Sequence, residues 1–273
     1  MFPLGSAAPP TTAPELDERL TDGLHERLRP TSGRVTVASA VDPDGRIGRL
    51  DLDLTGVELS RPRHQDLPAP DGEAISSEVE ALALHAEPVI IEGVPVHARA
   101  SIHGLAITYQ PRADGRWWLA PADEAGTGLR GQARVSASLD AIEPVLVSTL
   151  SERVAATGFS LVGAHLDATS LSPRTVRLEV EATIRRGPLR AVVVGTATAE
   201  VGTDMVLTLR DLGVRSASPL VGIALAAVRG RLTQWEGHQV DLSALTFGGA
   251  AVRDVELTVT GRTVILEAEI GQR

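Results

Sequence analysis

From Arg34 onward the hydrophobic positions of this chain recur at every second residue. Leu50, Leu52 and Leu54 alternate with Asp51, Asp53 and Thr55, and Val96, Ala98, Ala100 and Ile102 alternate with His97, Arg99 and Ser101. A period of two is the signature of a strand with one covered face. Each series then changes parity at a glycine. Val57 and Leu59 follow Gly56, and Leu105, Ile107 and Tyr109 follow Gly104. At the end of the chain Val255, Leu257 and Val259 give way at Gly261 to Val264, Leu266, Ala268 and Ile270. A one-residue phase change at glycine is what a bulge or bend produces, because it keeps one face inward while the sheet curves. The pattern predicts long, strongly curved antiparallel strands, with further strands over residues 131–139, 159–168, 175–185, 190–201 and 205–209.

Three segments follow the helical period instead. Leu16, Leu20, Leu24 and Leu28 recur at i, i+4 behind a Thr12-x-x-Glu15 capping box and Pro14, which predicts a helix to about Leu28, ended by Pro30 and Gly33. Ile142, Leu146, Leu150 and Val154 line a second helix that Ser138 or Asp140 can cap and Gly158 stops. Ser218 and Pro219 open a third, in which Leu220, Val221, Ile223, Ala224, Leu225, Ala226, Ala227 and Val228 leave hardly any polar face. A helix apolar all round has to be enclosed.

Strands outnumbering a few helices give an α+β fold, in which curved antiparallel sheets close over the apolar helices. Residues 1–12 read as a disordered lead-in, 61–74 as a Pro-rich loop, and 111–131 as a loop carrying Trp117 and Trp118. Residues 13–273 read as one domain, built from helix-plus-curved-strand units at 13–130, 131–215 and 216–273.

Composition narrows the chemistry. The chain has 273 residues, 43% hydrophobic and only 3% aromatic, so its core is built from aliphatic side chains. It contains no Lys and no Cys, so its 26 basic residues are all Arg. That excludes a P-loop lysine, a Schiff-base lysine, a thiol nucleophile, disulfides and thiolate metal sites. Net charge is −9 and the arginines are scattered along the sequence. Neither nucleic-acid binding nor charge-driven docking on an anionic membrane is therefore expected. The longest apolar run, residues 220–228, is far short of the ~20 residues a membrane span needs, so no stable membrane insertion is expected. The first residues lack a charged n-region and a long apolar stretch, which predicts a soluble cytoplasmic protein, or a cell-envelope one if a leader has been removed.

The candidate reactive groups are sparse. His97 and His103 share a strand face without a matching carboxylate, which reads as a solvated face, not a metal pair. Gly158-Phe-Ser160-Leu-Val-Gly163 is GxSxxG and follows a helix, so it resembles a nucleophile elbow only loosely. Asp51 with Asp53, and Glu179 with Glu181, alternate with core positions and face outward. Arg185, Arg186 and Arg190 flank Gly187 and Pro188 at a turn that could meet a phosphate headgroup but reads first as a solvated hairpin tip. No cofactor and no metal is expected.

The stretch after the apolar helix carries a likeness. Trp235-Glu-Gly, Val240-Asp-Leu, Leu245-Thr-Phe-Gly-Gly and the strand from Val252 through Gly261 resemble the C-terminal part of the LmeA-like phospholipid-binding family. That family belongs to the tubular lipid-binding (TULIP) superfamily, and the likeness is best over residues 216–270. It implies a curved sheet rolled around a long helix with an apolar groove between them. The expected function is binding, and transfer, of a lipid or other apolar small molecule. Leu146, Leu150, Leu220, Ile223, Ala224, Ala227, Phe247 and Trp118 are the candidate lining residues. Two alternatives stay open: a cofactor-independent cyclase or isomerase in the same cavity, with Tyr109, His103 or Glu236 as acid or base, and a structural or assembly protein whose core is filled. The oligomeric state is unassigned.

Overall fold

The structure, a computed structural model, describes residues 1–60, 67–122, 128–155, 158–218, 237, 239–242 and 250–272. In chain order the first elements are β1 (Phe2–Pro3), α1 (Ala13–Leu28), β2 (Thr36–Val41), β3 (Ile47–Asp53), β4 (Glu58–Leu59), β5 (Ile75–Ile91), β6 (Val94–Pro111) and β7 (Trp117–Pro121). They are followed by β8 (Arg130–Ser138), α2 (Leu139–Ala155), β9 (Ser160–Ser172), β10 (Thr175–Arg186), β11 (Leu189–Val201) and β12 (Val206–Ser216). The last are β13 (Gln239–Asp241), β14 (Ala250–Thr260) and β15 (Thr263–Gln272). The fold class is α+β, dominated by large, mainly antiparallel sheets. The apolar helix expected over residues 220–228 lies outside the described residues.

The chain divides into two compact units. The first comprises Met1–Val135, Ala244–Asp254 and Glu267–Arg273, and the second Ser136–Ser243 and Val255–Leu266. A ten-stranded sheet runs in the order β14-β15-β8-β6-β5-β3-β2, with β1, β4 and β7 attached beside that path. The second sheet has five strands, β13-β12-β11-β10-β9.

The first unit is organised by the hairpin β5–β6, whose two-residue turn places both Glu92 (φ 50°) and Gly93 (φ 82°) in the left-handed region. That is the turn geometry matched to strand twist. Midway along the hairpin the buried side changes. Ile102 is buried and His103 exposed, and beyond them Leu105, Ile107 and Tyr109 are buried in the other parity. Gly104 sits at the change with φ 68°. Val79 pairs with Leu105 and Ala81 with His103, so the register is the same on both sides of Gly104. Both strands switch face together. The register does shift further along, between Ala86 and Val89.

The other two glycines act differently. Gly56 (φ 75°) lies in a turn that separates β3 from β4, and both of those short strands pair with β5 in parallel. Gly261 (φ 59°) is not a bend within one strand but the first residue of the two-residue turn joining β14 to β15. Across such a turn an odd-numbered residue faces an even-numbered one. The parity change at Gly261 therefore follows from the turn.

Helix α1 ends at Leu28, with Arg29 in the left-handed conformation and its N–H bonded to the His25 carbonyl. The expected capping box is not made: the Thr12 side chain makes no cap bond, and Glu15 accepts from the N–H of Thr11 (3.4 Å), one residue before the N-cap. The helix buries Leu16, Leu20 and Leu24 in one cluster with Val79, Leu105 and Ile107. Within residues 1–12, Phe2 and Pro3 pair with Leu119 and Trp118, and Leu4 is buried. Trp117 and Trp118 belong to strand β7, not to a loop, because β6 and β1 pair with that segment on its two edges. Strand β5 carries Glu, Ala and Leu in a helix-favouring mixture, and its pairing with β6 and β3 overrides that propensity.

Two substitutions test this frame by denaturant unfolding. Leu20, 1% exposed, is expected to lose about 2–5 kcal/mol on Leu20→Ala. Gly104→Ala forces a Cβ into the left-handed region and is expected to cost roughly 1–2 kcal/mol.

Candidate functional site

In the first unit, α1 and the sheet leave a cavity of about 60 Å³, lined among others by Leu20, Leu24, Leu50, Val79 and Leu105. Ligand pockets are typically ~300–1,000 Å³, so this space fits packing around a helix and not a bound lipid. Most of its lining is buried, with Leu20, Val79 and Leu105 at 0–1% exposure.

Trp118 has its own set of contacts in this unit. It is 4% exposed, and its indole Nε1–H donates to the two carboxylate oxygens of Asp114 at 3.4 and 3.3 Å. The guanidinium of Arg112 lies 5.8 Å from its ring centre and that of Arg116 5.5 Å away. Arg116 also bonds Asp114 and Glu26. Burial would raise the Asp114 carboxyl, but hydrogen bonds from Arg116 and the Trp118 indole outweigh it and hold that carboxyl below its ordinary value. Trp118 thus anchors the β6–β7 connection.

The second unit presents a different surface. Leu166 pairs with Val180, Val180 with Gly195, and Gly195 with Val214, so one row of small and apolar residues crosses four strands. Neighbouring rows continue it: Ala168, Leu178 and Ala197 on one side, Ala164, Ala182 and Val193 on the other. Across the same strands the alternate row is His165, Glu181, Val194 and Arg215. The sheet is therefore amphipathic, as period-two alternation requires. Yet of the residues on the apolar rows only Leu166 is fully buried; Leu178, Val180, Val193 and Val214 stay half-buried. At Gly195 an added Cβ would meet nothing nearer than 3.9 Å, so the centre of the face is shallow and uncrowded.

Helix α2 packs against β9, the edge strand of this sheet. Ser138 caps it, accepting from the Asp140 N–H at 3.2 Å. Leu146 and Leu150 lie on it half-buried, as do Ile142 and Val154. A charged clamp fixes the helix. Glu143 accepts from the Leu166 N–H (3.2 Å) and Arg262 (3.2 Å) and lies 3.0 Å from His165 Nδ1. Arg262 also bonds Asp140 and Asp167, and its carbonyl accepts from the Leu139 N–H at 2.8 Å. The backbone bond from Leu166, with the charges of His165 and Arg262, holds the Glu143 carboxyl below its ordinary value of 4.5, against a smaller opposing effect of burial. With every carboxylate of the cluster engaged by one guanidinium, the arrangement orients α2 and leaves no free acid or base.

The remaining candidates are dispersed. Leu220, Ile223, Ala224, Ala227 and Phe247, with Trp235 and Glu236, lie outside the described residues. Tyr109 and His103 share β6, but the switch at Gly104 puts Tyr109 in the core and His103 on the exposed side. Burial raises the Tyr109 hydroxyl above its ordinary value, partly offset by Arg19. Ser160 opens β9 and donates to the Arg185 carbonyl at 3.2 Å, so its hydroxyl latches a hairpin. Among the described residues no group of three His, Asp or Glu is placed to hold a metal ion, and no helix is long and apolar enough to cross a membrane.

The chain matches no family model, no curated protein and no solved structure with which it was compared. The apolar face of the second unit is therefore read on its own geometry. What sequence alternation alone did not reveal is the alignment of its rows across four strands, which depends on register.

The clamp carries a pH dependence. Because the folded Glu143 carboxyl titrates below 4.5, its stabilising contribution is present above that value and is lost as pH falls through the lower, folded one. Glu143→Gln is expected to lower the melting temperature at neutral pH. The gap to the unaltered protein is expected to close as pH falls below 4.5, which thermal unfolding across an acid series measures.

Proposed function

We infer that this protein binds a lipid or other apolar small molecule, and that the apolar face of the five-stranded sheet is where the ligand lies. The observation that carries the reading is the row Leu166, Val180, Gly195, Val214 and its neighbours, continuous across four strands and mostly only half-buried. A half-buried aliphatic surface gains free energy from any apolar partner that covers it, at roughly 0.8 kcal/mol per buried CH₂ group. The shallow centre at Gly195 suits a chain lying along the sheet more than a compact ring system. The likeness of residues 216–270 to the LmeA-like family points the same way, toward a TULIP-like arrangement in which curved strands roll around apolar helices. In that arrangement Leu146 and Leu150 of α2 and the apolar segment 220–228 are further ligand contacts. Few polar groups face the site, so ligand selection rests on length and shape.

Native mass spectrometry of the purified protein, followed by solvent extraction, is expected to release an amphiphile in near-stoichiometric amount. After delipidation the protein is expected to take up a fluorescent fatty acid. Val180→Asp, which places a carboxylate in the middle of the row, is expected to weaken that uptake at least about ten-fold, since an unpaired charge against an apolar ligand costs well over 1.4 kcal/mol. A protein that releases no amphiphile and takes up none would overturn the reading.

A further inference from the structure

Although the chain carries net charge −9, its residues from Ala182 to Ala199 hold three arginines and no Asp or Glu. The hairpin β10–β11 brings those arginines to one tip. Arg185 stands directly across from Arg190, and Arg186 across from Leu189, on either side of the Gly187-Pro188 turn. Like charges set opposite each other on paired strands destabilise a hairpin. Neither Arg185 nor Arg190 has an ion-pair partner among the described residues, whereas Arg49, Arg99, Arg134 and Arg262 elsewhere are each paired with a carboxylate. The strands beside the tip add no acid, since residues 158–164 and 213–218 contain none.

Hydrophobic side chains are exposed among these charges. Leu189 is 55% exposed, the highest value among the described large hydrophobic residues, and Val192 two strand positions beyond Arg190 is 42% exposed. Arg186 lies over the Phe159 ring at 5.5 Å, which holds its guanidinium extended at the end of the sheet. With Leu189 and Arg186 on one face of the tip and Arg185 and Arg190 on the other, the end of the hairpin matches an anionic lipid surface: the guanidinium groups meet phosphates while the leucine enters the acyl boundary. A nucleic-acid surface would call for open stacking aromatics, whereas Leu189 and Val192 are aliphatic and the Phe159 ring at the tip is already covered by Arg186.

We propose that the β10–β11 tip docks this protein on the surface of anionic lipid bilayers. The docking is peripheral and reversible, and it is distinct from capture of a ligand on the apolar sheet face. A protein that carries no amphiphile still docks if the tip is a membrane contact, and one that carries lipid without docking shows the reverse.

Co-sedimentation with vesicles tests it, using phosphatidylcholine alone and phosphatidylcholine mixed with an equal part of phosphatidylglycerol. Binding to the mixed vesicles alone, falling as salt is raised, is the expected result. Each arginine near such a surface contributes roughly five-fold, so the doubly substituted Arg185→Ala, Arg190→Ala protein is expected to bind about 30-fold more weakly. Leu189→Ser is expected to weaken binding without changing its salt dependence, and Arg49→Ala to leave it unaltered. Relief of the like-charge pair predicts a melting temperature of the double variant equal to or above that of the unaltered protein, so a loss of binding is not a loss of fold. Equal binding to both vesicle types, unchanged binding of the double variant, or Arg185-dependent retention on single-stranded RNA without retention on vesicles would each overturn the proposal.

Discussion

The first unit depends on one backbone event, the change of buried side at Gly104. A hairpin of 17 and 18 residues cannot keep a single flat face against a helix, because strand twist carries that face away from its partner. Here the hairpin turns its inner side over midway. Leu82, Ile102 and Ala86 pack below the change, and Val79, Leu105, Ile107 and Tyr109 above it. The register is unaltered because Glu80 and Gly104 lie at the same level on the two strands, so each strand switches where the other does. A left-handed φ at a residue with no Cβ makes this possible at little steric cost. The leucines of α1 then find Leu105 and Ile107 on the side they need.

The two units solve the problem of an amphipathic sheet differently. In the first, α1 contributes a narrow stripe of large leucines, and the side chains it meets are driven to near-zero exposure. In the second, the apolar rows are built from Ala, Gly and Val, and α2 sits at the edge strand β9. Small side chains project little, so they cannot fill space above a sheet without help from a partner that approaches closely. Leaving such rows half-buried costs free energy unless another apolar surface covers them. That difference in closure, more than any single residue, separates the two units.

Much of this was legible in the amino-acid order, and the failures have physical causes. The periods of two and four residues located α1, α2 and the strands β9 to β12, because alternation and helical stripes are set by burial on one side. The parity change at Gly104 marked a true backbone feature, while the same sign at Gly261 was a hairpin turn, since a two-residue turn and a bulge both move the apolar series by one position. Strand β5 escaped the reading because its Glu, Ala and Leu favour a helix in isolation, and only its pairing with β3 and β6 makes it a strand. The candidate face was visible as separate strands but not as a surface: Leu166, Val180, Gly195 and Val214 are scattered over nearly fifty positions, and only register aligns them. Of the residues singled out for the site, Leu146 and Leu150 lie on α2 in the second unit, and Trp118 anchors a connection in the first.

The use of arginine as the sole basic residue bears on all of this. A guanidinium can bridge several carboxylates in fixed directions, and Arg262 does so with Asp140, Glu143 and Asp167, tying α2 to β9 and to the turn that Arg262 itself occupies. Arg116 does the same with Asp114 and Glu26 around Trp118. In a chain with 35 acidic residues against 26 arginines, carboxylates are in excess and a free basic cluster is not the default. The tip at Arg185, Arg186 and Arg190 departs from that trend by excluding acids from the adjoining strands, and it sets two arginines opposite each other where a single Glu would have relieved the repulsion. Arg185 and Arg190, set opposite each other with no acid on the adjoining stretches of the neighbouring strands, keep positive charge available at one end of the sheet whose apolar rows are left half-covered.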